Sequence, residues 1–458
     1  KLKTAYETAL NNKSTVVSLQ GETGVGKTRL MQELGVYAQS NRAVVLSGSA
    51  SEDGLPYAPW IEVTRQYVAQ APKELLRRML GTNAPELVKL VPDVVAKIGT
   101  VPASKSLGEQ QDKMRFYEAI TQFFITICND APLLLLFDDM ECADQSSLDL
   151  LEYFVRRSSN LRVLTVCSVP AEHELKPSSP LEETLMKFNK QRLLESVTVK
   201  NLNRDETTDL IRQTFGEQTI SPEFADLIYQ RTGGNPFFLE EVLRSLVEDG
   251  TIFRTEKGWD RKPIQEIVIP KSVKNTLKSR LTKLDPETLN TMTTAAVAGS
   301  DFDFELLREA MELNEETLLN RIEEALSAGI IIEVPHQLNR FRFADDKIRG
   351  LLLDELSHIR RAKNHLKVAE AMEKHYSKNL ESQAEAIANH FSEGGDPERT
   401  IKYSIMAGER NRGIHAYEQA IANYRRSLDS IGTEGQRDGE RATIYEKLGA
   451  CYDLASRF

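Results

Sequence analysis

At 458 residues the chain exceeds one ordinary core, so two to four domains are expected. Hydrophobic residues at 40% and charged residues at 28% describe globular material, and no apolar run approaches the ~20 residues of a membrane-spanning helix, so no membrane partner is expected. A formal net charge of −10 argues against general nucleic-acid binding, and no direct nucleic-acid contact is expected of this chain.

The opening segment KLKTAYETAL reads as a helix, lacks an initiating Met and carries no signal-peptide pattern, which suggests a fragment of a longer protein. TVVSLQ (15–20) and AVVLSGS (43–49) are strand candidates, separated by a glycine-rich turn and a helix. A less regular stretch follows, then a helix near 112–128 that leads into LLLLF (133–137). LRVLTVCSV (161–169) and ESVTVKNL (195–202) complete the strands. Apolar strands separated by helices predict a parallel sheet covered on both faces. Beyond 203 the strands largely stop. Asn203 and Glu206 have capping-box spacing, helices are expected near 222–231 and 237–249, and WDRKPI (259–264) reads as a turn-rich boundary. Three amphipathic helices are expected over 270–345, with GIIIEV and NRFRFA as a short hairpin, a winged-helix pattern. From about 350 the pattern is helical throughout. Tyr445, Leu448, Gly449 and Tyr452 fit a tetratricopeptide repeat, and Gly408, Ala420 and Tyr424 fit an earlier unit, with TEGQRDGE absorbing the extra length between them. The basic cluster Arg360, Arg361, Lys363 and Lys367 shares its segment with Glu370 and Glu373 and reads as a solvated helix face. Cys128, Cys142, Cys167 and Cys451 have no paired spacing, which fits a reducing cytoplasm, and the scattered histidines make a structural metal unexpected.

The chemistry concentrates in LQGETGVGKTRL. Gly21, Gly24, Gly26, Lys27 and Thr28 match the phosphate-binding pattern G-x-x-x-x-G-K-[ST]. Glycines let backbone N–H groups turn toward phosphate oxygens, and the helix that follows points its positive end at the same anion. The whole loop, including Glu22, Thr23, Val25 and Arg29, is expected to contact ATP or ADP. Lys27 is expected to reach the β- and γ-phosphates and Thr28 to offer its hydroxyl to Mg²⁺. Asp138 and Asp139 close the apolar run LLLLF, where a carboxylate is costly unless a cation receives it. Asp138 is assigned to the metal and Asp139 to the attacking water.

Together, GETGVGKTRLMQEL, PLLLLFDDMECADQSSLDLLEYF and RTGGNPFFLEEVLRSLVEDG resemble the STAND signalling ATPases, AAA-related P-loop proteins of large LuxR-type transcription regulators and of cyclase or kinase fusions. The resemblance implies an α/β P-loop domain with a parallel sheet (1–202), a helical lid (203–262), a winged helix (263–348) and a truncated tetratricopeptide-like sensor (349–458). It implies a switch in which ADP holds a closed monomer and an inducer, a small molecule or protein, acts at the repeats. Exchange for ATP then drives self-association. Gly234, Asn235 and Pro236 match the family's G-x-P element, whose proline packs near adenine; the same residues suit a helix start. Two positions depart from the family: Val169 stands where the fourth strand carries an arginine, and Asp345 stands where the winged helix carries a histidine. Glu141 and Cys142 also replace the usual His or Gln and Trp. Losing the arginine implies slow hydrolysis. The alternatives are an AAA-type remodelling ATPase and an origin-recognition-like DNA-binding ATPase.

Overall fold

The computed structural model describes residues 1–50, 55–216, 221–256, 258–267, 273–334, 339–431 and 438–455. They cluster into two compact units. The first joins Lys1–Lys200 with Gly408–Tyr424 and the C-terminal segment from Tyr445; the second joins Asn201–Ala407 with Arg425–Ile444.

In the first unit α1 (Leu2–Leu10), β1 (Thr15–Gln20), α2 (Lys27–Ser40) and β2 (Val44–Ser49) come in order. The less regular stretch after them is helical: α3 (Ala58–Gln70), α4 (Lys73–Leu80), α5 (Ala84–Leu90) and α6 (Val94–Ile98). Then follow α7 (Glu109–Asp130), β3 (Leu133–Asp138), α8 (Gln145–Arg157), β4 (Val163–Val169), α9 (Pro180–Lys190) and β5 (Leu194–Thr198). The strands form one parallel sheet in the order β2-β3-β4-β1-β5. Each central strand is buried on both faces, which explains its unbroken apolar run. Leu134 and Leu136 of β3 join Val17, Leu19, Leu34 and Ala5 on one face. Leu133, Leu135 and Phe137 face the other, where Trp60 packs 5.0 Å from Phe137 and 5.6 Å from Phe124 and Phe154.

The second unit opens on the expected capping box. Asn203 accepts from the Glu206 amide at 3.0 Å while Glu206 accepts from the Asn203 amide at 2.8 Å, starting α10 (Arg204–Phe215). α11 (Pro222–Thr232) and α12 (Pro236–Glu248) follow. WDRKPI is not a plain turn: Gly258–Arg261 is a strand, β7, paired antiparallel with β6 (Ile252–Thr255). Trp259 packs on Phe215, the last residue of α10, at 5.2 Å, a strand-to-helix contact that turn composition does not reveal. Among its described residues the next segment holds four helices rather than three, α13 (Val273–Leu281), α14 (Pro286–Ala298), α15 (Phe304–Met311) and α16 (Glu315–Ser327), with β8 (Asp301–Asp303) between α14 and α15. The hairpin strands β9 (Ile331–Glu333) and β10 (Arg340–Phe343) are paired, and β8 adds a third strand in the order β8-β10-β9. All-helical structure then continues as α17 (Asp346–Asp354), α18 (His358–His375), α19 (Leu380–Gly394), α20 (Pro397–Gly413), α21 (Tyr417–Ile431) and α22 (Asp438–Ala455). Gly408 belongs where it is: a Cβ there would lie 2.6 Å from the ring of buried Tyr424, so only glycine lets the two helices approach. Most of TEGQRDGE lies outside the described residues. All four cysteines are free thiols. Among the described residues no helix is long and apolar enough to cross a membrane.

Two histidines meet between α18 and α19. His365 and His390 share one hydrogen bond, Nδ1 to Nδ1 at 2.9 Å, with His365 Nε2 buried and unpartnered. Burial is the main cause that lowers His365 to about 4 and His390 to about 3; Glu393 opposes it at His365, while Arg349 and Arg361 reinforce it. Both values lie below the unfolded ~6.5, so the unfolded chain binds more protons and stability falls as pH drops from about 6.5 toward 4. The expected loss between pH 7.5 and 5 is about 2 kcal/mol per histidine. Urea melts of the second unit at both pH values check this. An equal loss in a His365→Leu/His390→Leu variant would assign the slope to other groups.

Candidate nucleotide site

The strand order makes the site. β4 lies between β1 and β3, so a crevice opens at the carboxyl ends of these strands, the usual ligand position in an open parallel sheet. The P-loop leaves β1 on one side of that crevice, and Asp138 ends β3 on the other. Gly26 caps α2 at φ +98°, a left-handed conformation that an L side chain resists. Lys27 Nζ donates to the Gly21 carbonyl at 2.7 Å and to that of Glu22 at 3.3 Å, which holds its ammonium under the loop. Thr28 Oγ1 donates to Asp138 Oδ2 at 2.8 Å, joining residues 110 positions apart.

The remaining expected contacts divide. Gly21 and Val25 are buried, Glu22 and Thr23 are exposed, and Gly24 turns the loop at φ +81°. Arg29 points along α2, paired with Glu33 at 2.9 Å. Asp139 sits at φ +52° with its carboxylate 3.4 Å from Ser49 Oγ. Pro236 and Asp345 belong to the second unit. Pro236 begins α12, whose cap Asn235 accepts from the Phe238 amide at 3.2 Å. Gly234 before it, at φ +72°, passes so near the Leu202 carbonyl that a Cβ would lie 1.9 Å from that oxygen. Asp345 caps α17, accepting from the Lys347 amide at 2.8 Å; burial raises its pKa.

Ser168 was not legible beforehand. Its hydroxyl donates to Asp138 Oδ1 and accepts the Asp139 amide at 2.9 Å, so it orients both acidic residues. Val169, one residue on, is fully buried in the core on the face of Trp60 and Phe137. Alternation along β4 therefore points Ser168, not Val169, toward the P-loop side. Serine at a strand end is an ordinary residue, and only the strand order places it between the two motifs. Further along, Asp144 caps α8, accepting from the Ser147 amide at 3.0 Å, and accepts the Tyr57 amide at 3.0 Å; burial raises its carboxyl to about 6.

A divalent cation fits the donor set. The Thr28 hydroxyl and the Asp138 carboxylate already lie within one hydrogen bond, both hard oxygens suited to Mg²⁺ with phosphate and water in the other positions. No group of three or more histidine, cysteine or acidic residues able to hold a metal occurs among the described residues.

Residues 1–166 match the AAA ATPase domain family, and residues 203–253 match a family described as a domain of unknown function. An uncharacterized protein of Rhizobium meliloti (strain 1021) is 23% identical over 459 residues, covering 95% of this chain. The chain spans 42% of that relative's length. Among solved structures, a Signal Transduction ATPase with Numerous Domains (STAND) protein with a tetratricopeptide repeat sensor, from Pyrococcus horikoshii, is 14% identical at a TM-score of 0.44; the alignment covers 97% of this chain and 60% of that one. A Thermotoga maritima RuvB variant is 14% identical at 0.30, covering 78% of this chain and 93% of its own. Drosophila ORC bound to GC-rich DNA and Cdc6 is 11% identical at 0.24, covering 77% and 93%.

Proposed function

We propose that this chain, which carries an AAA ATPase domain in residues 1–166, is a nucleotide-operated switch of the STAND kind. The observation that carries the reading is the hydrogen bond between Thr28 and Asp138, which joins the P-loop to the acidic strand end. On this reading the P-loop from Gly21 to Arg29 holds ATP or ADP, Lys27 neutralises the phosphates, and Thr28 and Asp138 hold Mg²⁺, which supplies charge neutralisation when bound. Asp139 orients water, and Pro236 at the start of the lid approaches adenine. The lid spans 203–262, a winged helix 263–348 and a repeat sensor 349–458, where an inducer acts. Exchange of ADP for ATP then drives self-association, and output lies in partners or segments beyond this chain.

Two features favour a switch over a motor. The strand end facing the site offers Ser168, a neutral hydroxyl, where rapid phosphoryl transfer calls for a cation, and Val169 beside it is buried. Direct DNA binding is disfavoured by α16, the helix a winged-helix unit would lay in a groove: it carries Glu315, Glu316, Glu323 and Glu324.

Light scattering after size exclusion, with Mg–ADP and then a Mg-bound non-hydrolysable ATP analogue, tests the switch. The ATP form is expected to be larger and the Lys27→Ala variant to stay small. Identical sizes for the parent chain in both nucleotides would refute nucleotide-driven assembly.

A further inference from the structure

The turn joining α20 to α21 is buried in the first unit although it lies more than two hundred residues after β5. Ile414 and Ala416, 3% and 0% exposed, belong to the same apolar core as Phe116, Leu87 and Trp60. His415 meets Phe116 edge-on at 5.7 Å, and its Nδ1 lies 3.0 Å from the Tyr417 hydroxyl. Lys113 Nζ sits 5.8 Å from the centre of the Tyr417 ring, and Arg412 reaches Glu109 at 3.9 Å on the rim.

The socket is tied to the nucleotide site through a short run of contacts. Phe116 packs edge-on against Tyr57 at 5.5 Å, and the Tyr57 amide donates to Asp144. Asp144 caps α8 just downstream of Asp138 and Asp139. Through Phe116 and Tyr57 the seated turn thus bears on Asp144, at the downstream end of the acidic loop.

Its chemistry is that of a separable contact. His415 Nε2 is buried without a hydrogen-bond partner, and the ring is held neutral, chiefly by burial, with a pKa lowered to about 4. Lys113 is buried too, with its carboxylate partner Asp149 at 3.6 Å. Water would satisfy His415 Nε2 on withdrawal, which offsets part of the apolar area lost.

We infer that residues 411–417 form a latch: seated, the turn supports the acidic loop and retains ADP; withdrawn, it loosens the loop and speeds nucleotide exchange. The inference rests on the switch reading above and names the contact through which the repeats would act on the site.

The test uses the full chain and two variants. Ala416→Arg puts a charge where no space exists, and Arg412→Glu, at a half-exposed rim position, opposes Glu109 without touching the core. Hydrogen exchange at 109–117 and 411–417 reports seating, circular dichroism reports folding, and stopped-flow release of a fluorescent ADP analogue with Mg²⁺ reports grip. Faster exchange in both segments and about tenfold faster ADP release are expected for Ala416→Arg, with a smaller change for Arg412→Glu. If Ala416→Arg fails to fold, Arg412→Glu decides. Variants with unseated turns that release ADP at the parental rate would overturn the latch while leaving the switch standing. A parent chain that binds no ADP would overturn both.

Discussion

Replacing Lys27 by Ala is expected to weaken ADP and ATP binding by about 2–4 kcal/mol, roughly thirtyfold to several hundredfold, with little change in folding. The side chain is only partly buried, and the apolar support of the loop comes from Val25 beside it. Its ammonium donates to two carbonyls of the loop, at 2.7 and 3.3 Å, so it is already aimed where an anion would sit. Removing it leaves phosphate charge facing Asp138 and Asp139 with one cation fewer. Calorimetric titration with Mg–ADP measures the loss directly. A Kd within threefold of the parent's would mean that nucleotide, if bound, does not use this loop.

The second large effect concerns Arg280. This residue of α13 is 4% exposed and pairs with Glu241 of α12, itself 5% exposed. It also donates to the Ala328 carbonyl at 2.6 and 3.2 Å and to that of Gly329, the first carbonyls beyond α16. One guanidinium therefore joins three segments of the second unit, and its planar fork suits several acceptors at once. Arg280→Ala is expected to cost about 3–5 kcal/mol, because it leaves a buried carboxylate and two carbonyls without their partner. Arg280→Met/Glu241→Leu should cost much less, since no unpaired charge remains. Unfolding followed by Trp259 fluorescence in a Trp60→Phe background isolates the second unit; the chain has two tryptophans, so Trp259 is then the sole reporter. Equal losses in the single and double variants would show that packing, not charge, sets the cost.

Parts of the architecture were legible because they are local. β1, β3 and β4 announce themselves as apolar runs because a parallel strand is covered on both faces, and each lies within two residues of its expected bounds. The Asn203–Glu206 capping box and the Asn235–Pro236 helix start follow from spacing alone. β6, β7 and β8 were missed because short strands of mixed composition are defined by their partners rather than by their own residues. Asp345 shows the converse. It was singled out for the histidine it replaces, and what it does in its unit is cap α17.

By itself the sequence determined the chemical groups of the candidate site: Gly21 to Thr28 and Asp138 stand at spacings that steric and electrostatic demands of phosphate impose on neighbours in the chain. Only the tertiary structure decided which residue lies between them. Strand order puts β4 between β1 and β3, and alternation turns Ser168 toward the site and Val169 into the core. It also decided that the turn at 414–416 is buried in the first unit. Both outcomes depend on contacts between residues far apart in the chain, and local pattern carries no information about such pairings.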